Sequence, residues 1–418
     1  MGSLPKMYRV RQRLYDQRVE DIPARVAQEM AKVLPEDLGG QDIALAVGSR
    51  GIANIATIVA AVVAEVKRRQ GKPFVFPAMG SHGGATPEGQ AAILRDYGIT
   101  EATVGCPIRA TMEVVEMGRT PSGFPVYLDR NAAQASGIIV INRVKKHTDF
   151  EGRHGSGLLK MLTIGMGKKA QAELVHSYGT WGLRHLIPEI ARVHLQRSPI
   201  LAGLAILENG YRQTADLVGV APQDFEETDA RLLEREKATA PRLPFDQLDA
   251  LILDEMGKNI SGTGMETWVL GRLMIRGEPE PTRPNIHLVV VLDLTEESHG
   301  NAAGLGLANF TTERLLAKVN WEDTWTNVFT STFLERARVP LRFPTDRAAV
   351  EAIPKAIRWK PASELRIVHA RNTLHLEVLE ISEALWEEAQ ANPNLEVDPR
   401  PFELEFDEEG RLLPVCLE

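Results

Sequence analysis

Apolar runs that end in glycine-rich loops recur in the first half of the chain. Residues 42–47 and 74–78 have the length and apolar content of buried strands. The first run leads through a loop at residues 48–51 into an Ala/Val/Ile-rich helical pattern over residues 52–69. The second run leads into a loop at residues 80–84 that contains three glycines. Each run therefore predicts a strand-loop-helix unit.

A helix start and a third strand extend this pattern. Thr86 suits the N-cap, and Pro87 suits the first turn, of a helix that is predicted to run to residue 97. A predicted hairpin at residues 112–128 precedes an apolar strand at residues 137–142. Strands that alternate with helices favour a mainly parallel sheet, whose loops after the strands open at one edge. We therefore expect the loops after these three strands to share an edge.

The second half of the chain resumes the alternation after a charged stretch. Residues 226–243 are rich in charge, and a new apolar strand is predicted at residues 248–254. We place a domain boundary at residue 240, which gives an N-terminal domain of residues 1–240 and a C-terminal domain of residues 241–418. The predicted fold class is α/β, with two α/β domains, mainly parallel sheets and an interdomain cleft.

Periodicity predicts further elements of the C-terminal domain, namely strands at residues 287–292 and 365–370 and helices at residues 311–319 and 321–337. Four aromatic residues recur at helical spacing, which favours core packing over a cofactor-binding surface: Trp321, Trp325, Phe329 and Phe333. The alternating pattern at residues 402–406, in the acidic tail, is typical of an edge strand.

Composition favours an ordinary folded protein that binds small molecules. Hydrophobic residues make up 44% and charged residues 25% of the 418 residues, which is enough apolar material for sizeable cores. The net charge of −8 argues against a nucleic-acid or anionic-membrane surface. Cys106 and Cys416 lie far apart, which argues against a disulfide framework or a zinc ribbon. We find no signal-peptide pattern and no apolar run of membrane-spanning length, so we expect a cytoplasmic protein.

Two histidines follow predicted strands at the shared edge. His82 lies among glycines, which have no side chains to shield it, so it is a candidate functional residue. The alternative is a histidine in a turn that faces solvent. His147 follows the third strand, with Asp149 and Glu151 beyond it to orient an imidazole. If the two histidines face each other across a substrate, one can remove a proton while the other delivers one, as a stereochemical inversion requires.

A lysine and a third histidine follow along the chain. Lys160 leaves a glycine-rich turn for an apolar run, where its amine loses a proton more readily and can act as a nucleophile or a covalent tether. A phosphate-binding lysine is the alternative, although the Walker A order is absent. His176 ends a predicted helix that begins near residue 168. Its imidazole suits nickel, copper, zinc or iron, but one histidine alone is a weak metal signal.

Five elements in order resemble a known family: Ser49-Arg50, Gly80-Ser81-His82, His147, the glycine-rich turn with Lys160, and His176. The family is that of the nickel-pincer lactate racemases, which includes 2-hydroxyacid racemases and epimerases. The resemblance covers roughly residues 40–180, and the second half of the chain only in outline. It lies in the order and separation of the elements and not in any single motif.

The resemblance implies a cofactor and its binding residues. Lys160 would tether a pyridinium-3,5-bisthiocarboxylic acid mononucleotide, the nickel-pincer nucleotide, through a thioamide. His176 would bind the nickel, whose other ligands would be two sulfurs and one carbon of the cofactor. Arg50 would match a basic residue near the cofactor or substrate, and Ser49 and Gly80 would accompany it among the cofactor-binding residues.

The resemblance also implies a reaction. His82 and His147 would be the paired acid/base residues, and the cofactor would take a hydride from C2 of a 2-hydroxyacid and return it to either face. The family has a lysine in its second domain, and Lys258 is the counterpart by position, with a structural turn as the alternative. His299 is a weaker candidate on another turn of the second half.

Two departures from the lactate-type pattern concern the substrate. Gly83 and Gly84 remove side-chain bulk beside His82, whereas Arg153 and His154 add hydrogen-bond donors near His147. Donors left unpaired by a short apolar substrate would cost about 1–3 kcal/mol each. We therefore expect a 2-hydroxyacid that is larger or more polar than lactate, such as a sugar acid or a dicarboxylate.

The sequence thus predicts a nickel-dependent isomerase that racemises or epimerises a 2-hydroxyacid. The alternatives are a metal-dependent lyase or hydrolase that acts on a sugar acid, and a ligand-binding relative without turnover. Expected partners are the small-molecule substrate, the host enzymes that make the cofactor, and a second copy of the chain in a homo-oligomer. Neither nucleic acid nor a membrane is expected.

Overall fold

The computed structural model describes residues 4–48 and 51–416. The chain divides into two compact units. The N-terminal unit comprises Asp16–Ala240, and the C-terminal unit comprises the chain up to Tyr15 together with the residues from Pro241 onward. The predicted α/β class is confirmed, because each unit holds a mainly parallel sheet with helices between its strands. Within the described ranges, no helix is long and apolar enough to cross a membrane.

The strands are, in chain order, β1 (Met7–Gln12), β2 (Asp42–Val47), β3 (Lys72–Pro77), β4 (Val114–Arg119), β5 (Pro125–Asp129), β6 (Gly137–Arg143), β7 (Ile200–Glu208), β8 (Thr214–Val220), β9 (Gln247–Met256), β10 (Asn285–Leu294), β11 (Phe310–Thr312), β12 (Leu341–Phe343), β13 (Ile367–Ala370), β14 (Val378–Ser382) and β15 (Leu395–Val397).

The α-helices are α1 (Ile22–Val33), α2 (Ile55–Arg68), α3 (Pro87–Asp96), α4 (Glu101–Val104), α5 (Arg130–Ala133), α6 (Leu158–Lys160), α7 (Lys168–His176), α8 (Gly179–Trp181), α9 (Ile187–Arg197), α10 (Phe225–Thr239), α11 (Thr267–Leu270), α12 (Glu313–Ala317), α13 (Trp321–Ser331), α14 (Asp346–Glu351), α15 (Ile353–Ala356) and α16 (Trp386–Ala391). Two π-helical turns, Met161–Gly165 and Gly182–Leu186, follow α6 and α8.

The sheet of the N-terminal unit has the strand order β3-β2-β6-β7-β8 in the described part of the chain. The first four strands are parallel, and β8 runs antiparallel to β7. The predicted hairpin is β4–β5, which forms a separate two-stranded sheet. The parallel register brings the carboxyl ends of β2, β3 and β6 to one edge, as the sequence predicts.

Helix packing explains why β2 is apolar along almost its whole length. Residues 43–47 are fully buried, which is typical of a parallel strand covered on both faces. The buried stripe of α2, with Ile58, Val59 and Val62, joins β2 in one core. Helix α3 begins as predicted, since the side chain of Thr86 accepts a hydrogen bond from the amide of Gly89 at 3.1 Å.

The sheet of the C-terminal unit has the order β12-β11-β10-β9-β13-β14-β1-β15 in the described part of the chain. It is parallel from β12 to β13 and antiparallel from β13 to β15. Strand β1 pairs with β14 and β15, although we assigned residues 1–240 to the N-terminal domain. The reason is that Met7 and Val10 are fully buried in the cores of the C-terminal unit.

Three predictions in the second half are wrong in detail. Part of the predicted helix at residues 311–319 is strand β11, and α12 is correspondingly short. Trp325 and Phe329 are 53% and 70% exposed, because α13 buries its Thr324 and Val328 positions instead. The tail forms only isolated pairings in place of an edge strand. Two prolines, at positions 399 and 401, lack the N–H groups that a ladder requires.

A buried charge cluster joins three strands of the C-terminal unit. His369 on β13 is fully buried, with Nε2 2.6 Å from Asp254 Oδ1 on β9 and Nδ1 2.8 Å from Glu380 Oε2 on β14. Burial opposes the charge on the ring, but the two carboxylates outweigh it and raise the pKa of His369 to about 10. Asp254 Oδ2 also accepts from the amide of Val415, so the imidazolium indirectly anchors the tail.

We expect His369→Gln to lower the free energy of unfolding by about 3–5 kcal/mol, because two buried carboxylates lose their cation. The wild-type contribution is fully present below pH 6.5, the ordinary pKa of the ring, and is lost as the pH rises through about 10. Urea unfolding between pH 6 and 10 measures both effects, with His287→Gln at an exposed position as the control. If the free energy of unfolding of His369→Gln fell toward pH 10 as much as that of the wild type, this account would be contradicted.

Candidate functional site

His147 lies in the loop after β6, at the shared carboxyl edge of the N-terminal sheet. Its ring is 3% exposed and stacks on Phe150 with ring centres 4.6 Å apart. The amide N–H of Asp149 donates to Nδ1 at 3.2 Å. The loop thus holds the imidazole in one orientation.

The other ring nitrogen of His147 faces the predicted tether. Nε2 lies 2.8 Å from Nζ of Lys160, and Nζ also lies 3.2 Å from the hydroxyl of Ser156. One hydrogen bond therefore joins the Lys160 nitrogen to the imidazole of His147, and this contact holds the amine beside the ring.

A buried carboxylate fixes the start of the helix that carries Lys160. Asp229 on α10 is fully buried, and its Oδ1 accepts from the amide of Leu158 at 2.8 Å. Burial raises the pKa of Asp229 to about 7, and its Oδ2 has no hydrogen-bond partner among the described residues. A Cβ on Gly157 would lie 2.0 Å from Asp229 Oδ1. The glycine is therefore required by the close approach of this carboxylate.

His176 ends the helical segment that begins at α6. A π-helical turn separates α6 from α7, and His176 is the last residue of α7. Such turns are often found at functional sites. Burial and then the positive charge of protonated Lys160 lower the pKa of His176 to about 4, whereas Asp149 raises it. The imidazole is thus neutral near pH 7, and its buried Nδ1 has no hydrogen-bond partner among the described residues.

The loop of His82 packs against the same helical segment. Gly80 has a φ of +59°, and a Cβ there would lie 3.0 Å from Ile164 of the π-helical turn and 3.4 Å from Ala172 of α7. The side chain of Gln90 on α3 donates to the carbonyl of Gly80 at 2.9 Å and to that of His82 at 3.3 Å. His82 itself is partly exposed. The structure therefore places the loop of His82 beside the segment between Lys160 and His176.

Sequence reasoning missed a second buried lysine beneath this loop. Lys168 is completely buried, and its Nζ donates to the carbonyl of Pro77 at 2.6 Å and to Gln90 Oε1 at 2.7 Å. Nζ also lies 3.3 Å from Oδ2 of the buried Asp129. Burial lowers the pKa of Lys168 and raises that of Asp129. In the sequence, Lys168 stands beside the exposed Lys169, and no local pattern distinguishes the two.

The residues that suggested a larger substrate do not support that inference. The guanidinium of Arg153 is 61% exposed and lies 2.5 Å from Glu227, while His154 Nε2 lies 3.7 Å from Glu226. Gly83 has a φ of +64°, and a Cβ there would lie 2.5 Å from the backbone of Gly89. This glycine therefore allows a close helix contact instead of widening a pocket.

The remaining predicted residues are placed as follows. Ser49 and Arg50 lie outside the described residues. Lys258 lies in the C-terminal unit, where Nζ donates to the carbonyl of Gly262 at 2.8 Å and to Asn327 Oδ1 at 2.6 Å. His299 occupies an exposed turn with a φ of +48°. The catalytic role of Lys258 stays a prediction.

No metal centre made of side chains alone accompanies His176. Among residues 4–48 and 51–416, no three His, Cys, Asp or Glu side chains are grouped so that they could hold a metal ion. A metal on His176 would therefore need ligands from a bound molecule. The N-terminal unit offers an amine 2.8 Å from an imidazole nitrogen, and a second, neutral imidazole whose buried Nδ1 has no hydrogen-bond partner among the described residues.

Comparisons with known proteins concern this same part of the chain. Residues 41–180 match the family model of the lactate racemase N-terminal domain, a range that includes His82, His147, Lys160 and His176. No curated protein matches the chain in sequence. Among solved structures, the lactate racemase apoprotein from Thermoanaerobacterium thermosaccharolyticum matches with 9% identity and a TM-score of 0.44, over 78% of this chain and 81% of that chain.

We expect Gly157→Ala to destabilise the N-terminal unit by about 1–3 kcal/mol, because the new Cβ overlaps the buried Asp229 carboxylate. Gly51→Ala is the control, since a Cβ there meets nothing within 4 Å. Thermal unfolding of the two variants measures the difference. Equal melting temperatures would show that the contact between Gly157 and Asp229 is not tight.

Proposed function

We propose that this chain, whose residues 41–180 match the lactate racemase N-terminal domain, racemises or epimerises a 2-hydroxyacid with a nickel-pincer nucleotide tethered to Lys160. The match of residues 41–180 supports the racemase type. The cofactor, the metal and the roles of single residues are the content of the proposal. One observation carries it: Nζ of Lys160 lies 2.8 Å from His147 Nε2, in the domain whose His176 has a buried nitrogen without a partner.

The residues present fit the cofactor. Nickel accepts imidazole nitrogen, and the neutral ring of His176 with its unpartnered Nδ1 is a suitable single protein ligand. Lys160, with its amine beside His147, is a suitable residue for a covalent tether. When bound, the cofactor would supply reversible hydride acceptance at C2 of the hydroxyacid, a chemistry that no side chain offers.

The protein would supply proton transfer and orientation. In the tethered state Lys160 would no longer be a free amine, and Nε2 of His147 would then be available to exchange a proton with the substrate oxygen, with the ring oriented by the Asp149 amide. His82, on its own loop at the same edge, would exchange a proton from the other side of the substrate. Two such groups would let the hydroxyl proton leave and return on either side while the hydride returns to either face of C2.

The remaining partners and residues complete the proposal. The host must make the cofactor, so its biosynthetic enzymes are required partners. The proposed substrate is a 2-hydroxyacid. Arg153, His154 and Gly83 make contacts that do not favour a substrate larger than lactate, so Gly84 alone still favours a larger one. A catalytic role of Lys258 belongs to the proposal on family grounds alone.

We expect protein purified from its native host to carry an added mass on Lys160 that intact-mass and peptide mass spectrometry detect. Lys160→Ala should remove both the added mass and turnover, because it removes the only attachment atom. Lys169→Ala, at an exposed neighbouring lysine, should keep both. Native-host wild type that racemises a hydroxyacid without the added mass would rule out the tether.

We expect His82→Ala to keep the added mass and the nickel but to lower turnover by about 10²- to 10⁴-fold, the usual contribution of a general acid or base. Incubation of cofactor-loaded enzyme with single-enantiomer hydroxyacids, followed by chiral chromatography, measures turnover. Full activity of the variant would show that His82 has no acid/base role. Loss of the added mass would show that it binds the cofactor instead.

A further inference from the structure

Lys168 occupies an unusual position for a lysine. It is fully buried in the N-terminal unit, where an unpaired ammonium would be strongly destabilised. Its backbone φ is +55°, a conformation that residues other than glycine rarely adopt. A residue kept at both an electrostatic and a conformational cost is expected to hold something in place.

Three acceptors from three parts of the fold meet at this ammonium. They are the carbonyl of Pro77 at the end of β3, at 2.6 Å, Gln90 Oε1 on α3, at 2.7 Å, and Asp129 Oδ2 at the end of β5, at 3.3 Å. Oδ1 of Asp129 is used separately, since it accepts from the amides of Asn131 and Ala132 at the start of α5. The ammonium therefore cross-links β3, α3 and β5.

One arm of this cross-link leads to His82. Gln90, held by Lys168 through Oε1, uses its amide nitrogen to donate to the carbonyls of Gly80 and His82. Lys168 thus holds the loop after Pro77 at two places. It binds the start of the loop directly, and it binds the later part through Gln90. Gln90 is itself fully buried, so water cannot replace these hydrogen bonds.

The other arm leads to His176. Lys168 is the first residue of α7, the helix that ends in His176, so fixing its side chain also fixes the start of that helix. Gln171, one turn further, accepts from the amide of Tyr127 at 2.8 Å and donates to the carbonyl of Pro125 at 3.2 Å. Helix α7 is therefore anchored to β5 at two points of its first turns.

We propose that Lys168 is a positioning residue that sets the loop of His82 and the helix of His176 relative to each other. The functional meaning of this inference rests on the proposed function, in which one histidine transfers protons and the other binds nickel. A single ammonium donates to two oxygens and forms an ion pair with a third, which no apolar side chain of similar length can do. Lys168 would act through the other residues and would not touch the substrate.

Two variants separate the arms. Gln90→Met removes the indirect link to the loop of His82 and leaves the hydrogen bond from Lys168 to Pro77 and the ion pair of Lys168 with Asp129. The double variant Lys168→Met with Asp129→Asn removes both arms without leaving a buried unpaired carboxylate, and the asparagine keeps an oxygen for α5. Lys169→Met is the matched control, because Lys169 is the exposed neighbour on the same helix and pairs with Glu173 at 3.5 Å.

Hydrogen–deuterium exchange of the apoprotein, read by mass spectrometry of its peptides, tests the geometry without any cofactor. We expect the double variant to raise exchange about ten-fold or more in residues 79–90 and 168–176, but not in strand β7. Gln90→Met should raise exchange in residues 79–90 alone, and Lys169→Met in neither segment. Unchanged exchange in both segments, or an equal rise that includes β7, would overturn the proposal. If the double variant does not fold, Gln90→Met decides: unchanged exchange at residues 79–90 overturns the proposal.

Kinetics of the cofactor-loaded enzyme provide the functional readout. We expect Gln90→Met to lower kcat about ten-fold with KM changed less than about two-fold, because the acid/base group is displaced while substrate binding is kept. The mass added on Lys160 should be unchanged. A rise in KM with unchanged kcat would overturn the positioning role. If the wild type carries no added mass and does not racemise hydroxyacids, the proposed function fails, whereas the exchange result still stands for the geometry.

Discussion

Parallel pairing of β2 with both β3 and β6 is the constraint on which the site depends. This pairing places the loops after β2, β3 and β6 at one edge of the sheet. His82 and His147, 65 positions apart in sequence, therefore follow the two strands that flank β2. The helical segment after the third loop then packs against the first two, with Gly80 in contact with Ile164 and Ala172. Without this register, the chemistry-bearing residues would have no common edge.

Buried polar groups hold this edge in place. Asp229 caps the start of the Lys160 helix, and Lys168 with Asp129 anchors the start of the His176 helix. Each is costly to bury, since burial moves the pKa values of Lys168, Asp129 and Asp229 toward the neutral forms. Hydrogen bonds and ion pairs offset this cost, because each group binds backbone or side-chain partners that an apolar residue could not bind. The second unit uses the same device in the cluster of His369 with Asp254 and Glu380.

Much of the fold could be predicted from the sequence, since β2, β6 and the start of α3 follow directly from apolar runs, Thr86 and Pro87. The sequence indicates that His147 and Lys160 both belong to the site at this edge, but their direct contact is seen only in the structure. Lys168 could not be found, because its role depends on acceptors that are distant in sequence. Strand β1 was assigned to the wrong unit for the same reason: its partners, β14 and β15, lie at the other end of the chain.

The central proposal is that His176 supplies one imidazole ligand to a nickel ion whose other ligands come from a cofactor tethered to Lys160. Nickel K-edge X-ray absorption of protein from its native host tests this claim most directly. The account predicts one imidazole nitrogen together with two sulfur neighbours, and among residues 4–48 and 51–416 no group of His, Cys, Asp or Glu side chains could itself hold the metal ion. A nickel shell of nitrogen and oxygen alone, or one unchanged in His176→Ala, would contradict it.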